Sequence, residues 1–140
     1  MIITEKERKI NNPAYVFRIM SDILVSEHET DRMKEHFWSI GRDVKGMVQY
    51  IELVSLGTLG AAIIHPREVF RFAIMKAVAS IIVCHNHPSG NPAPSGEDTE
   101  ITDRLRKAGE ILGIEVQDHI IIGSDGFYSY RDSGRWRDLK

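Results

Sequence analysis

The sequence predicts a single α/β domain in which helices flank a mixed β-sheet. Segments with strand-like apolar patterns alternate along the chain with segments of helical spacing. One wholly apolar run, residues 80–84, is typical of a buried central strand. The predicted order is helix, two strands, helix, strand, helix and two strands. A chain of 140 residues is long enough for one such domain with its own core.

The first helix is predicted to begin at Asn12-Pro13, because asparagine is a good N-cap and proline suits the first helical position. A second helix is predicted from His65 to Val78 and is expected to be well buried, since apolar residues cover much of its circumference. A third helix follows the central strand and is predicted to stop at Gly113. Strands are predicted over residues 35–40, 47–56, 80–84, 114–123 and 127–130.

Three regions are predicted along the chain. Residues 1–11 form a flexible N-terminus, because they are mostly polar. Residues 12–131 form the folded domain, and residues 132–140 form a polar C-terminal tail.

Composition excludes several classes of protein. Hydrophobic residues make up 42% and charged residues 27%, near the globular average, which excludes collagen-like, mucin-like and wholly disordered chains. The net charge is −2, from 18 basic and 20 acidic residues, so the chain lacks the basic excess of a dedicated nucleic-acid binder. That balance leaves room for a local basic patch.

Cysteine usage and hydropathy indicate a cytoplasmic protein. The one cysteine, Cys84, excludes an internal disulfide and a cysteine-based zinc finger and fits a reducing compartment. The first residues lack the apolar core of a signal peptide, and no apolar stretch approaches 18 residues. We therefore expect no membrane partner.

The segment that carries chemistry is His85-Asn86-His87, followed after seven residues by Ser95-x-x-Asp98. Histidines two apart at a strand end point to the same face. Asp98 is expected in the first turn of the next helix, where the loop can fold it back over the strand end. Two imidazoles and one carboxylate are a ligand set typical of zinc, and three protein ligands leave a position for water, as in catalytic zinc sites.

Parts of this motif have simpler interpretations. Ser95-x-x-Asp98 is also a helix start of the capping-box type, and capping is the favoured interpretation of those two residues alone. A His-x-His pair alone is weak evidence for a metal site, since histidines are common in exposed loops. The four positions together are far more specific, and Ser95 can cap the helix and still face a substrate.

These four positions resemble the signature of the JAMM (MPN+) metalloproteases. The surrounding sequence resembles the bacterial RadC family in residues 57–59, 65–70, 81–95 and 118–123. The resemblance runs from about residue 12 to residue 131.

The resemblance implies a cytidine-deaminase-like JAB/MPN domain, which is a mixed sheet flanked by helices. It also implies that His85, His87 and Asp98 bind one zinc ion (Zn²⁺) per chain and that Ser95 stabilises the oxyanion. Glu35 matches the upstream glutamate that JAMM proteins use as a general base. Without the resemblance, Glu35 reads as a solvated glutamate at the start of a strand.

Full-length RadC proteins look like two-part chains, in which a helix-hairpin-helix region comes first and a domain of this type follows. The present chain is expected to be a short form that lacks that region. Any DNA-binding role of the helix-hairpin-helix region is therefore not carried over.

Three functions compete at this stage. The first is a zinc-dependent hydrolase of the JAMM type that cleaves an amide or isopeptide bond in an unknown protein or peptide substrate. The alternative is a non-catalytic DNA repair or recombination accessory protein that keeps the zinc site and binds DNA or a DNA-repair complex, which the charge balance does not support. A third is phosphodiester hydrolysis, which a single metal with a Ser/Glu pair suits less well than acyl chemistry. The oligomeric state stays open.

For most of the other notable residues, the sequence predicts a structural role. His119 is expected to be a hydrogen-bonded structural histidine, with support of a zinc-binding histidine as the alternative. His28 and His36 are expected at the surface, and Cys84 is expected to be a buried thiol. A small basic–aromatic tail is expected to be solvated, with a nucleic acid or a partner as the alternative; it comprises Arg131, Arg135, Trp136 and Arg137.

Overall fold

The computed structural model describes residues 9–10, 12–57 and 64–139. The strands are β1 (Glu35–Arg42), β2 (Val48–Gly57), β3 (Ser80–Asn86), β4 (Glu115–Ile122) and β5 (Phe127–Ser129). The helices are α1 (Pro13–Ser26), α2 (Glu29–Arg32), α3 (Pro66–Val69), α4 (Arg71–Met75) and α5 (Gly96–Leu112), followed by a 3₁₀ helix over Arg135–Asp138. This arrangement confirms the predicted α/β class.

The five strands form one mixed sheet in the order β2-β1-β3-β4-β5. β3 and β4 are parallel, and the other neighbouring strands are antiparallel. A parallel pair needs a crossover connection, and α5 supplies it. α5 therefore begins beside the carboxyl end of β3, where the motif residues lie.

Each face of the sheet packs against helices, and alternate residues of β3 divide between the two cores. Ile82 and Cys84 contribute to the core on the α1 side, whereas Ile81 and Val83 contribute to the core on the α5 side. All seven residues of β3 are buried, as predicted for a central strand. The α1 side also contains Val16, Ile19, Met20, Trp38, Ile40 and Ile120, and the α5 side contains Phe37, Val69, Phe70, Ala73, Ile101, Leu105 and Ile121.

The predicted ends of two helices are confirmed. Asn12 is the N-cap of α1, where its side-chain oxygen accepts the N–H of Tyr15 at 3.0 Å, and Pro13 occupies the first turn. Gly113 ends α5 with a left-handed backbone conformation. Within the described ranges, every helix is too short or too polar to cross a lipid bilayer.

The second predicted helix is wrong in two respects. It is broken at Phe70 into α3 and α4, and Ala77 closes it with φ +51°. Ile74 and Met75 are 57% and 70% exposed, so the segment is not buried all round. The physical reason is that the segment covers the edge of the core with one side only, through Phe70 and its neighbours.

Two strands extend further than the sequence predicted. Gly41 and Arg42, which lie beyond the predicted strand over residues 35–40, belong to β1, because they pair with both β2 and β3. Glycine suits position 41 because a Cβ there would collide with the ring of Tyr50. His85 and Asn86, which lie beyond the predicted strand over residues 80–84, complete β3 by pairing with β4.

Two described residues near the ends of the sequence, Ile10 and Trp136, are buried. Trp136 is 9% exposed, and the guanidinium groups of Arg106 and Arg131 lie 4.8 and 5.1 Å from its ring centre. The prediction of a solvated tail is therefore wrong for Trp136. Ile10 is also buried, and Lys9 forms a bridge with Met47. Residues 1–8 and 11 of the predicted flexible N-terminus lie outside the described residues.

We expect Trp136→Ala to lower the free energy of unfolding by about 3 kcal/mol, because truncation of a buried tryptophan removes apolar contacts and leaves a cavity. Arg137→Ala, an exposed position in the same 3₁₀ helix, is the matched control and should change it by less than about 0.5 kcal/mol. Urea denaturation measures both values. Equal stability of the two variants would show that the tail does not contribute to the core.

Candidate metal centre

The motif residues converge where β3 ends and α5 begins. His85 lies in β3, His87 follows it, and Asp98 lies in the first turn of α5. The Nε2 atoms of the two histidines are 3.0 Å apart. The Asp98 carboxylate contacts both, with Oδ1 at 3.0 Å from His85 and Oδ2 at 3.1 Å from His87. One ligand atom from each residue lies within 4.8 Å of the others, so the group could hold a metal ion.

The hydrogen bond of His87 to the loop determines which ring nitrogen is available to a metal. Nδ1 of His87 lies 2.9 Å from the main-chain oxygen of Asn91. A carbonyl oxygen only accepts, so Nδ1 carries the proton. Nε2 of the neutral ring therefore presents its lone pair toward Asp98 and His85.

A longer chain of hydrogen bonds does the same for His85. Thr102 donates its hydroxyl proton to the main-chain oxygen of Asp98 at 2.7 Å, so it accepts from Nδ1 of His119. Nε2 of the neutral His119 then accepts from Nδ1 of His85, at 2.7 Å. Nε2 of His85 is left with its lone pair. The predicted hydrogen-bonded role of His119 is confirmed, and its partner is a histidine of the candidate metal site.

The three ligand atoms fit a transition-metal ion. Two neutral imidazole nitrogens and one carboxylate oxygen are a common ligand set for such ions. Each imidazole donates its Nδ1 proton to an acceptor, which fixes the orientation of the ring. The donor set is therefore arranged for a metal by the protein alone.

Burial and charge shift the pKa values of the group. Burial opposes ionisation of Asp98, but the close contacts of its carboxylate with Nε2 of His85 and of His87 outweigh burial and hold the pKa of the carboxyl well below its usual range. The contact with Asp98 also raises the pKa of His87, because a protonated ring would donate its Nε2–H to the carboxylate; burial opposes this rise, and the negative charge of Glu35 adds to it. Burial holds the pKa of His119 well below its usual value, so its ring stays neutral.

Ser95 caps α5 and faces the candidate site. Its Oγ accepts the N–H of Asp98 at 3.1 Å, and its own N–H donates to Oδ2 of Asp98 at 2.8 Å. This is the capping box that the sequence predicted. Ser95 is exposed, and a hydroxyl that accepts one bond can still donate its proton to another group.

Glu35 lines the same cavity as two of the candidate ligands, His87 and Asp98. It is the first residue of β1 and is paired with Gly57. A cavity of about 410 Å³ is lined by Glu35 together with His87, Ser95 and Asp98. The structure thus brings the candidate base next to the candidate metal ligands.

The loop between the ligands is bound to the end of β4. The N–H of His87 donates to the oxygen of Ile122, and the N–H of Ser124 donates to the oxygen of Gly90, both at 2.9 Å. Gly90 has φ +93°, a conformation that favours glycine. These bonds fix the position of the loop relative to the sheet.

Sequence reasoning missed two polar residues of the site and placed one incorrectly. Thr102 is fully buried, and its signal is a polar side chain one turn after Asp98 on the buried face of α5. The contacts of Asn86 with β1 carry no sequence signal. His36, predicted at the surface, is fully buried and its Nε2 lies 2.5 Å from Glu27. His28 and Cys84 are exposed and buried, respectively, as predicted.

The chain is similar in sequence to a known protein family and to several curated proteins. Residues 10–135 match the family of the RadC-like JAB domain. The chain is 42% identical over 132 residues to a UPF0758 protein of Methanosarcina mazei, which covers 94% of this chain and 56% of that protein. It is 50% identical over 112 residues to a UPF0758 protein of Clostridium kluyveri, which covers 80% of this chain and 49% of that protein.

The family match identifies the class of this α/β domain with its mixed five-stranded sheet as that of the JAB domains. More narrowly, the chain belongs to the RadC-like JAB domain family. It spans about half the length of the relatives described here.

We expect metal affinity to fall at low pH. Binding requires a neutral His87, and its raised pKa means that protons compete at a higher pH than for an ordinary histidine near 6.5. The association constant for Zn²⁺ should therefore decrease by about tenfold or more per pH unit below that pKa. Competition with a chromophoric chelator between about pH 5.5 and 8 measures it. A constant affinity over this range would contradict the assignment of His87 as a ligand.

We expect Thr102→Val to weaken Zn²⁺ binding by about 10- to 100-fold, because His119 then loses its acceptor and no longer fixes the ring of His85. Thr30→Val, at an exposed position of α2, is the matched control and should leave the affinity unchanged. The same competition assay at neutral pH compares the two variants. Equal Zn²⁺ affinities of the two variants would show that the hydrogen-bond chain does not contribute to metal binding.

Proposed function

We propose that this chain is a zinc-dependent hydrolase of the JAMM type that cleaves an amide or isopeptide bond in a protein or peptide. The observation that carries the proposal is the convergence of two imidazole nitrogens and one carboxylate beside a cavity that Glu35 lines together with His87 and Asp98. A metal ligand set beside a further carboxylate is the arrangement that a metal-assisted hydrolase requires.

His85, His87 and Asp98 would hold the zinc ion. When bound, zinc would act as a Lewis acid that makes water a strong nucleophile at neutral pH. The pKa of Asp98 lies well below its usual range, so its carboxylate is ionised at neutral pH. The neutral state of His119 lets it accept the Nδ1 proton of His85 and keeps that ligand in the required tautomer.

Glu35 would act as the general base. Its carboxylate can accept the proton of the attacking water and then give it to the leaving amine, which is how one carboxylate serves both halves of an amide hydrolysis. The negative charge of Glu35 contributes to the raised pKa of His87, which supports the closeness of Glu35 to the candidate ligands.

Ser95 and the amino end of α5 would stabilise the oxyanion. The hydroxyl of Ser95 can donate a hydrogen bond to the oxygen of the attacked carbonyl while its Oγ still accepts the N–H of Asp98. The positive end of the helix dipole favours the developing negative charge at the same place.

Acyl chemistry fits the site better than phosphoryl transfer. Two-metal phosphoryl transfer requires a second set of ligands about 4 Å from the first. Among the described residues, the His-His-Asp group is the one cluster that could hold a metal ion. A cytoplasmic location belongs to the proposal as well, since the lone Cys84 fits a reducing compartment.

The metal content tests the ligand assignment. Protein purified without a chelator or a metal-affinity tag should contain about one zinc ion per chain, as measured by elemental analysis. The His85→Ala/His87→Ala variant should lose it, because one carboxylate alone does not retain the ion. Failure of the metal-free protein to bind added zinc would contradict the proposal.

Glu35→Gln tests the base. The zinc-loaded variant should retain its metal but cleave quenched peptide and isopeptide substrates about 10²- to 10⁴-fold more slowly, because an amide cannot accept the proton. Glu100→Gln removes an exposed carboxylate of α5 and should retain the rate. Full turnover by Glu35→Gln would exclude Glu35 as the base.

A further inference from the structure

We propose that Asn86 is a positioning residue for Glu35. Its side-chain amide binds the backbone on both sides of Glu35 and thereby sets where that carboxylate stands relative to the candidate metal ligands. The inference rests on the proposed role of Glu35 as the general base. The role assigned to Asn86 is distinct from metal binding, because its side chain contacts β1 and the residue that precedes it.

The amide of Asn86 makes two hydrogen bonds that straddle Glu35. Oδ1 of Asn86 accepts the N–H of His36 at 2.6 Å, and Nδ2 donates to the main-chain oxygen of Lys34 at 3.1 Å. Because an N–H only donates and a carbonyl only accepts, both ends of the amide are assigned without ambiguity. The residue between the two bound positions is Glu35.

These bonds lie where the pairing of the sheet stops. β1 and β3 pair from Arg42↔Ser80 to Phe37↔His85, and Phe37↔His85 is the last pair of the ladder. The N–H of His36 lies beyond that pair, and the Asn86 side chain accepts it there. Asn86 therefore extends the connection between the two strands by the residues that carry Glu35.

The same side chain is rigidly placed beside the metal ligands. Asn86 is 3% exposed and stands between His85 and His87 in the chain. Its own backbone pairs with Ile122 of β4. One short side chain thus links the ligand-bearing strand to the base-bearing strand.

A second contact makes the backbone before Glu35 a fixed point. The oxygen of Lys34 also accepts from Nδ1 of His36 at 2.9 Å, and Nε2 of His36 contacts Glu27 at the end of α1. These bonds hold the backbone on the α1 side. Removal of Asn86 should therefore leave the strand folded while it frees the connection to β3.

Two variants separate the two bonds of the amide. Asn86→Ala removes both. Asn86→Asp keeps an oxygen for the N–H of His36 but places a second oxygen against the carbonyl of Lys34, so it removes only the donated bond. Asn91→Ala is the matched control, because it removes an exposed asparagine side chain in the adjacent loop and keeps the main-chain oxygen that His87 uses.

Hydrogen exchange of the metal-free protein tests the accepted bond. In Asn86→Ala, the amide of His36 should exchange about fivefold faster or more, because a partly buried hydrogen bond is lost. The amide of Ile40, deeper in β1, should be unchanged, and so should both amides in Asn91→Ala. Asn86→Asp should retain the protection of His36.

Paramagnetic relaxation of the Co²⁺-loaded protein tests the position of the carboxylate. With ¹³C-labelled glutamate, the relaxation enhancement of the Glu35 carboxyl carbon falls with the sixth power of its distance from the ion. It should fall at least about twofold in Asn86→Ala and in Asn86→Asp, because Glu35 is no longer held. Zn²⁺ affinity should change by less than about threefold, below the roughly 10- to 100-fold cost of disturbing a ligand's own hydrogen-bond partner.

Either of two results overturns the proposal: an unchanged relaxation of the Glu35 carboxyl carbon in both Asn86 variants, or a loss of Zn²⁺ affinity as large as that of a ligand variant. If Asn86→Ala does not fold, Asn86→Asp carries the same test. Both measurements are made without turnover, so they are separate from the test of the base. Full turnover by Glu35→Gln would remove the base assignment whatever the relaxation shows.

Discussion

The site depends on a chain of hydrogen bonds that begins at one candidate metal ligand and ends at another. It runs from His85 through His119 and Thr102 to the main-chain oxygen of Asp98. Each member is buried, so a broken bond would leave a polar group without a partner at a cost of about 1–3 kcal/mol. The chain also joins β3, β4 and α5. The orientation of the candidate ligands is therefore set by hydrogen bonds within the folded protein.

That chain in turn requires the parallel pairing of β3 with β4. Val83 pairs with His119, which places the imidazole of His119 on the face that carries His85. A shift of one residue would turn His119 to the opposite face, because side chains alternate along a strand. The crossover by α5 brings Thr102 above the same face. Register and crossover together thus determine the tautomer of His85.

The sequence predicted the fold class, the order of the main elements and the grouping of His85, His87 and Asp98, because these follow from local patterns. Asn12, Gly113 and the His-x-His spacing act over a few residues, where sequence reasoning is strong. The contacts that the sequence could not reveal join distant positions: Asn86 and His36 lie 50 residues apart. The burial of His36 and the break at Phe70 follow from which side of an element meets the core, which a pattern of residue types does not specify.

Asp98 also takes part in the cap of α5, which neither histidine does, and this makes the three candidate ligands unequal. Its Oδ2 accepts the N–H of Ser95 and so belongs to the cap of α5 as well as to the ligand set. A lineage that lost the metal by replacing Asp98 would also weaken the start of its longest helix. Replacement of His87, whose second nitrogen contacts only a loop oxygen, would disturb the fold least. Inactive descendants of such a domain should therefore retain the aspartate longer than this histidine.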